Sequence, residues 1–148
     1  MYRTAIVSAL PDELAAVLEV MRQPTHGVPA AEHRTVVAGR EFWSGRLHGY
    51  DVVAVLSGIG KVAAATTATL LIDRFKVDHI VFTGVAGGLG PQVRVGDMVV
   101  AQTLLQHDMD ASPLFPRYEV PGTGLSRFAT DEALPACLLR AGQATLAA

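Results

Sequence analysis

A single cysteine, Cys137, in 148 residues excludes an internal disulfide and any zinc site built on cysteines. It falls in an apolar stretch that reads as helical, where a packed core thiol is expected. Charge is scarce as well. Asp, Glu, Lys and Arg make up 18% of the chain, against ~25% in an average soluble protein. The 12 basic and 14 acidic residues leave a net charge of −2, and the basic ones are scattered. Nothing here suits nucleic acid or an anionic membrane, which require a clustered basic face. Long hydrophobic runs are missing too. The longest, Val52 to Leu56, Ile80 to Phe82 and Met98 to Ala101, fall far short of the ~20 residues that span a bilayer. The first residues, Met1 to Val7, show no extended apolar core and no cleavage signal, so a cytoplasmic protein is expected.

What is abundant is apolar surface, at 50% of residues. That excludes disorder; the length of 148 residues suits one domain over residues 1–148, and the order of its elements makes that domain α/β. The apolar content also predicts strands buried on both faces, or surface meant for partner contacts. Residues 4–9 read as a first buried strand. Pro11 fits the first turn of a helix, with Asp12 and Glu13 complementing its dipole. Leu14, Val17, Leu18 and Met21 give its apolar stripe, which ends near Gln23-Pro24. A loop with Gly27 and Pro29 follows. Residues 33–47 alternate loosely, with a break at Ala38-Gly39, and Leu47 to Tyr50 punctuates. Asp51 to Leu56 is a second buried strand, Lys61 to Phe75 an Ala- and Leu-rich helix, and residues 79–82 a third buried strand. A glycine cluster, 84–90, comes next, then a fourth strand from Asp97 to about Gln106. Pro113, Pro116, Pro121 and Gly122 mark 107–124 as a long functional loop or lid. A last helix is expected over Ser126 to Gly142, capped by Thr130.

Strand, helix, strand, glycine loop and strand in that order predict a mixed, twisted sheet flanked by helices. Ligands in such sheets sit beyond the carboxyl ends of the strands. Leu10 to Glu13, Ser57 to Gly60 and Thr83 to Gly88 all occupy those ends. Gly58-Ile59-Gly60-Lys61 is not a P-loop, and it fails the dinucleotide template at Ala63. The cluster at 84–90 fails that template too. Each loop is either a tight turn with unusual backbone angles or bare backbone that a planar base or ribose can approach. Glu13 is either a dipole-complementing surface residue or a carboxylate that orients or deprotonates a water. His107, Asp108 and Asp110 could hold a divalent ion, but no second histidine with clear spacing accompanies them. Turn stabilisation by the Asp side chains is the other reading, and neither metal nor cofactor is expected. The apolar loop Pro113 to Tyr118 is either a satellite core cluster or a contact surface for another chain.

Four motifs in order, Ala9 to Glu13, Ser57 to Ala65, Thr83 to Leu89 and Val95 to Val100, resemble the bacterial 5′-methylthioadenosine/S-adenosylhomocysteine nucleosidase family. That family belongs to the nucleoside phosphorylase superfamily. The similarity covers nearly all of residues 4–110, and the motifs are specific jointly, not singly. It implies hydrolysis of the N-glycosidic bond of a 5′-substituted adenosine through an oxocarbenium-like transition state, releasing adenine. By the same resemblance, Glu13 matches the glutamate that holds the attacking water. Ala86 and Gly87 match backbone lining the adenine and ribose site, and Ile59 an apolar position near the ribose and 5′-substituent. Phe115 resembles an aromatic residue that one protomer of a homodimer lends to the neighbouring site.

Two departures stand out. Val85 occupies a position where the family usually has Ser, near the reacting water. The family's later half, with a Met-Glu pair for the ribose hydroxyls and a Ser-Asp pair for protonating adenine, has no match here. The fold is therefore expected to be incomplete at the C-terminus, and the short chain to hydrolyse poorly. Three readings follow: a nucleosidase, a non-catalytic nucleoside-binding or oligomerising module, and a related futalosine hydrolase or nucleoside phosphorylase.

Overall fold

The computed structural model describes residues 3–23 and 32–147. The expected stop of the first helix at Pro24 and the loop with Gly27 and Pro29 lie outside the described residues. The contacts group the chain into two compact units, Met1–Gly87 and Gly88–Ala148.

The first unit is built on a five-stranded mixed sheet. Its strands are β1 (Thr4–Ser8), β2 (His33–Val37), β3 (Arg40–Leu47), β4 (Tyr50–Leu56) and β5 (His79–Phe82), in the order β2-β3-β4-β1-β5. β1 lies parallel to both β4 and β5, while β2, β3 and β4 run antiparallel in succession. Two-residue turns explain the antiparallel part. Ala38 and Gly39 have φ of 48° and 73°, and His48 and Gly49 have 49° and 87°. Positive φ at both central residues matches the right-handed twist of the flanking strands, so each turn closes a hairpin. The punctuation read at 38–39 and 47–50 thus becomes two hairpin turns.

Helix α1 (Pro11–Arg22) follows β1, and α2 (Lys61–Asp73) leads from β4 to β5. Each helix serves one face of the sheet. Val53 and Val55 pack with Ala5, Val7, Phe42, Leu71 and Phe75. Their neighbours Val52 and Ala54 pack on the other face with Leu14 and Met21 of α1, and with Ile6 and Trp43. Alternate residues of β4 therefore enter opposite layers, which is why the strand is apolar throughout. Among the described residues, no helix is long and apolar enough to cross a membrane.

β5 departs from expectation. Its composition predicts burial on both faces, yet Ile80 and Phe82 are exposed. β1 is its one neighbour in the sheet of the described residues, and half of its side chains meet no covering layer.

The second unit holds β6 (Thr103–Leu104) paired antiparallel with β7 (Phe128–Ala129), and α3 (Leu134–Leu146). The strand expected from Asp97 to Gln106 is only these two residues: the ladder with β7 covers Thr103 and Leu104, and beyond it a single backbone bond joins the Thr130 N–H to the Gln102 carbonyl (3.0 Å). The long segment 107–124 carries no helix or strand, only an isolated bridge from Val120 to Leu125. The last helix begins eight residues later than expected. Pro135 sits in its first turn, where the missing N–H costs nothing; a start at Ser126 would have buried the proline in mid-helix. Thr130 does not cap it: its hydroxyl donates to the carbonyls of Ala101 and Gln102. Asp131 serves instead, its Oδ1 accepting the N–H groups of Ala133 (2.8 Å) and Leu134 (2.7 Å). Cys137 is exposed on α3, not a core thiol, and Arg140 Nη2 lies 3.2 Å from its sulfur.

Candidate functional site

Parallel pairing brings the carboxyl ends of β4, β1 and β5 side by side, with β1 in the middle. Two backbone bonds continue the ladder beyond the strands. The Ser57 N–H donates to the Ser8 carbonyl, and the Thr83 N–H to the Val7 carbonyl, both at 2.9 Å. The loops after all three strands consequently leave the sheet at one level.

Glu13 joins two of these loops. It is the third residue of α1, so its side chain reaches back over the helix start. Its Oε2 accepts the N–H groups of Ala9 (3.1 Å) and Leu10 (2.9 Å). Its Oε1 accepts the N–H of Val85 at 2.9 Å, across 72 residues of sequence. The Leu10 bond is one half of a capping box; leucine has no side-chain acceptor to complete the other half. An ionised carboxylate offers about four lone-pair sites. Three are taken by backbone, which leaves one on Oε1 for a further donor such as water.

Those same bonds hold the Glu13 carboxyl below its usual range. The Val85 N–H contributes most and the Leu10 N–H next; partial desolvation opposes them, and the Ala9 N–H adds to the lowering. The group is ionised at neutral pH. Because its native value is depressed, it stabilises the fold fully above the ordinary glutamate value of about 4.3. That contribution is lost as the pH falls through the lowered native value. Thermal unfolding measured from pH 7 down to 3 should therefore fall more steeply in the native chain than in Glu13→Gln. Parallel curves for the two proteins would contradict this linkage.

Gly84 was not singled out by sequence reasoning. A Cβ placed there would lie 2.6 Å from Oε1 and 2.7 Å from Cδ of Glu13. The available signal was a glycine two residues beyond the end of β5, where the loop leaves the sheet.

The remaining expected residues fall in different places. Val85 is held by its backbone, and its side chain is 81% exposed. Ala86 and Gly87 follow it along the exposed loop. Ile59 stands on the loop after β4, 79% exposed, between Gly58 (φ 78°) and Gly60 (φ 104°). Both glycines adopt angles that side chains disfavour, so the turn reading of this motif holds at the level of backbone conformation. Phe115 belongs to the second unit, half-buried, its N–H bonded to the Ala111 carbonyl. Asp110 accepts the N–H and hydroxyl of Ser112 at 3.1 and 2.7 Å, the turn-stabilising arrangement weighed against a metal. Among the described residues, no three His, Cys, Asp or Glu side chains gather as metal ligands. A concavity of about 750 Å³ lies on the α1 side of the sheet, lined by Leu14, Leu18, Arg22, Arg40, Trp43 and Ser57 among others. Glu13, Ile59 and Val85 do not line it.

Residues 3–147 match the sequence profile of the phosphorylase superfamily. The chain belongs to this superfamily. Within the superfamily it is similar to the 5′-methylthioadenosine/S-adenosylhomocysteine nucleosidase of Geobacillus kaustophilus (strain HTA426), with 41% identity over 133 residues. That alignment takes in 89% of this chain and 53% of the relative. A solved nucleosidase from Colwellia psychrerythraea 34H, in complex with adenine, superposes with a TM-score of 0.82 at 36% identity, over 95% of this chain and 56% of that one. The futalosine hydrolase of Helicobacter pylori strain 26695 superposes at 0.85 and 28% identity, over 97% and 59%. The chain thus spans about half the length of the superfamily members it matches, and its mixed sheet with flanking helices is the superfamily's fold.

Proposed function

We propose that the protein hydrolyses the N-glycosidic bond of a 5′-substituted adenosine, methylthioadenosine or S-adenosylhomocysteine, and releases adenine. The observation that carries this reading is the Glu13 carboxylate, ionised and held at the carboxyl ends of the strands with one acceptor site free. A negative charge there stabilises the positive charge that develops on the ribose as the bond breaks. The free lone pair orients a water toward the anomeric carbon, and the carboxylate takes up its proton. A depressed pKa makes Glu13 a weak base, so positioning and charge stabilisation are its larger contributions. The exposed backbone from Val85 to Gly87 faces the base and ribose in this reading, and Ile59 the 5′-substituent. Protonation of the leaving adenine is assigned to no residue of 1–148.

Adenine release from methylthioadenosine, followed by chromatography, tests the reading. We expect little or none from the 148-residue chain, and turnover from a form extended to the length of its relatives. An extended form that folds yet releases no adenine from either nucleoside would sink it. The second reading, a futalosine hydrolase, draws on Val85, which offers no hydroxyl beside the water. Release from futalosine alone would favour it.

A homodimer in the cytoplasm is part of the same proposal. Leu89, Val95, Val99 and Leu114 are each more than 70% exposed in the second unit, and apolar side chains of this kind supply contact surface for a second copy when they form one patch. Two-fold pairing is the commonest way to cover it, and Phe115 lies on the same unit. Sedimentation should show a dimer at micromolar concentration; a monomer at every concentration would exclude it.

A further inference from the structure

We infer that Gly84 is a positioning residue for Glu13: its bare α-carbon provides the space that the carboxylate occupies between the loops after β1 and β5. This inference rests on the proposed hydrolysis only for its catalytic consequence; the positional claim stands on geometry.

A Cβ at residue 84 would meet all three atoms of the Glu13 carboxyl group, Oε1 at 2.6 Å, Cδ at 2.7 Å and Oε2 at 2.9 Å. Such separations lie well inside van der Waals contact, so something must move. The backbone is poorly placed to do so. Thr83 is tied to Val7 of β1 by its N–H, which anchors the loop directly before residue 84, whereas the carboxyl group is the far end of a flexible side chain. Nor does backbone conformation demand a glycine, since Gly84 is absent from the positive-φ glycines that include Gly58 and Gly60. The requirement is steric, and it comes from Glu13. Gly87, three residues on, is the contrast: a Cβ there meets nothing within 4 Å.

An alanine at 84 therefore displaces the carboxylate. The bonds to Ala9 and Leu10 are local to the helix start and can follow the side chain. The bond to Val85 spans two loops and is the one lost. With it goes the principal influence that depresses the Glu13 ionisation.

The test is a carboxyl-carbon NMR titration of the 148-residue chain labelled in glutamate, with the Glu13 signal assigned by its loss in Glu13→Gln. The Gly84→Ala variant should titrate at higher pH than the native chain, toward the ordinary glutamate range. Exchange of the Val85 amide should quicken by about tenfold or more as its acceptor withdraws. Gly87→Ala should leave both readouts where they are. An unchanged Glu13 titration in Gly84→Ala, or an equal shift in Gly87→Ala, would overturn the inference. If Gly84→Ala fails to fold, Glu13→Asp is added to it, since a side chain shorter by one methylene vacates the space. Recovery of the melting transition supports the collision, and no recovery refutes it. In an extended form that hydrolyses nucleosides, Gly84→Ala should reduce kcat by about 10²-fold, the scale of a 1 Å misplacement, with the acid limb of its pH profile moved upward. A shifted titration in a protein that never releases adenine would leave the positioning role standing and remove the nucleosidase reading alone.

Discussion

Glu13→Gln should lower adenine release by about 10²–10⁴-fold, from loss of the charge that stabilises the developing cation and of the group that takes the water's proton, in a form of the protein that hydrolyses nucleosides. From sequence alone this substitution is close to isosteric, expected to remove charge and basicity while leaving shape and substrate binding nearly intact. The structure alters that expectation. Both carboxylate oxygens accept backbone N–H groups, Oε1 from Val85 and Oε2 from Ala9 and Leu10. A glutamine has one oxygen and one NH₂ group. Whichever way it is turned, two donors face each other, at Val85 or at the helix start. The loop that carries Val85 to Gly87 loses its tether in the first case, and α1 loses its N-terminal bonds in the second. KM should therefore rise along with the fall in kcat. Steady-state kinetics on methylthioadenosine separates the two, and an unchanged kcat would show that Glu13 takes no part in the chemistry.

The largest loss of stability is expected from Phe42→Ala. Phe42 is fully buried and stacks on Phe75 with ring centroids 4.4 Å apart. It lies opposite Val55 on the next strand and in the same layer as Leu71 of α2. Removing a buried aromatic ring costs about 3–5 kcal/mol, from lost transfer energy and the cavity left behind. Domains of this kind are stable by only about 5–15 kcal/mol, so the variant gives up a large share of the total. Urea denaturation reads the effect directly. Trp43, the single tryptophan, sits beside Phe42 on the opposite face of β3 and serves as the probe. A loss below about 1 kcal/mol would mean that the layer between the sheet and α2 is not the unit's main core.

Much of the first unit was legible from sequence because its determinants are local. Pro11 followed by two acids starts α1, the pairs Ala38-Gly39 and His48-Gly49 close the hairpins, and the apolar run of β4 announces burial on two faces. The second unit was less legible because its determinants are not local. The segment after Asp97 has strand composition, but a strand exists only where a partner offers its backbone, and β7 does so for Thr103 and Leu104 alone. Pro135 was a legible signal for the start of α3, since proline is tolerated in a first turn and not in mid-helix. Cys137 and β5 failed for a shared reason: apolar character states what a residue can bury, not whether another element arrives to bury it.

The candidate site divides along the same line. Sequence by itself determined that an acidic residue follows β1 at the start of a helix, and that glycine-rich turns follow β4 and β5. Those are consequences of chain-local preferences for caps, turns and backbone angles. Only the tertiary structure decided that Glu13 and Val85, 72 residues apart, share a hydrogen bond, and that Gly84 must lack a side chain for them to do so. That pairing depends on the parallel register of β1 with β5, which carries the Thr83 N–H to the Val7 carbonyl and so sets the height at which the loop meets the carboxylate. Register is a property of two strands at once, and no stretch of one strand encodes it.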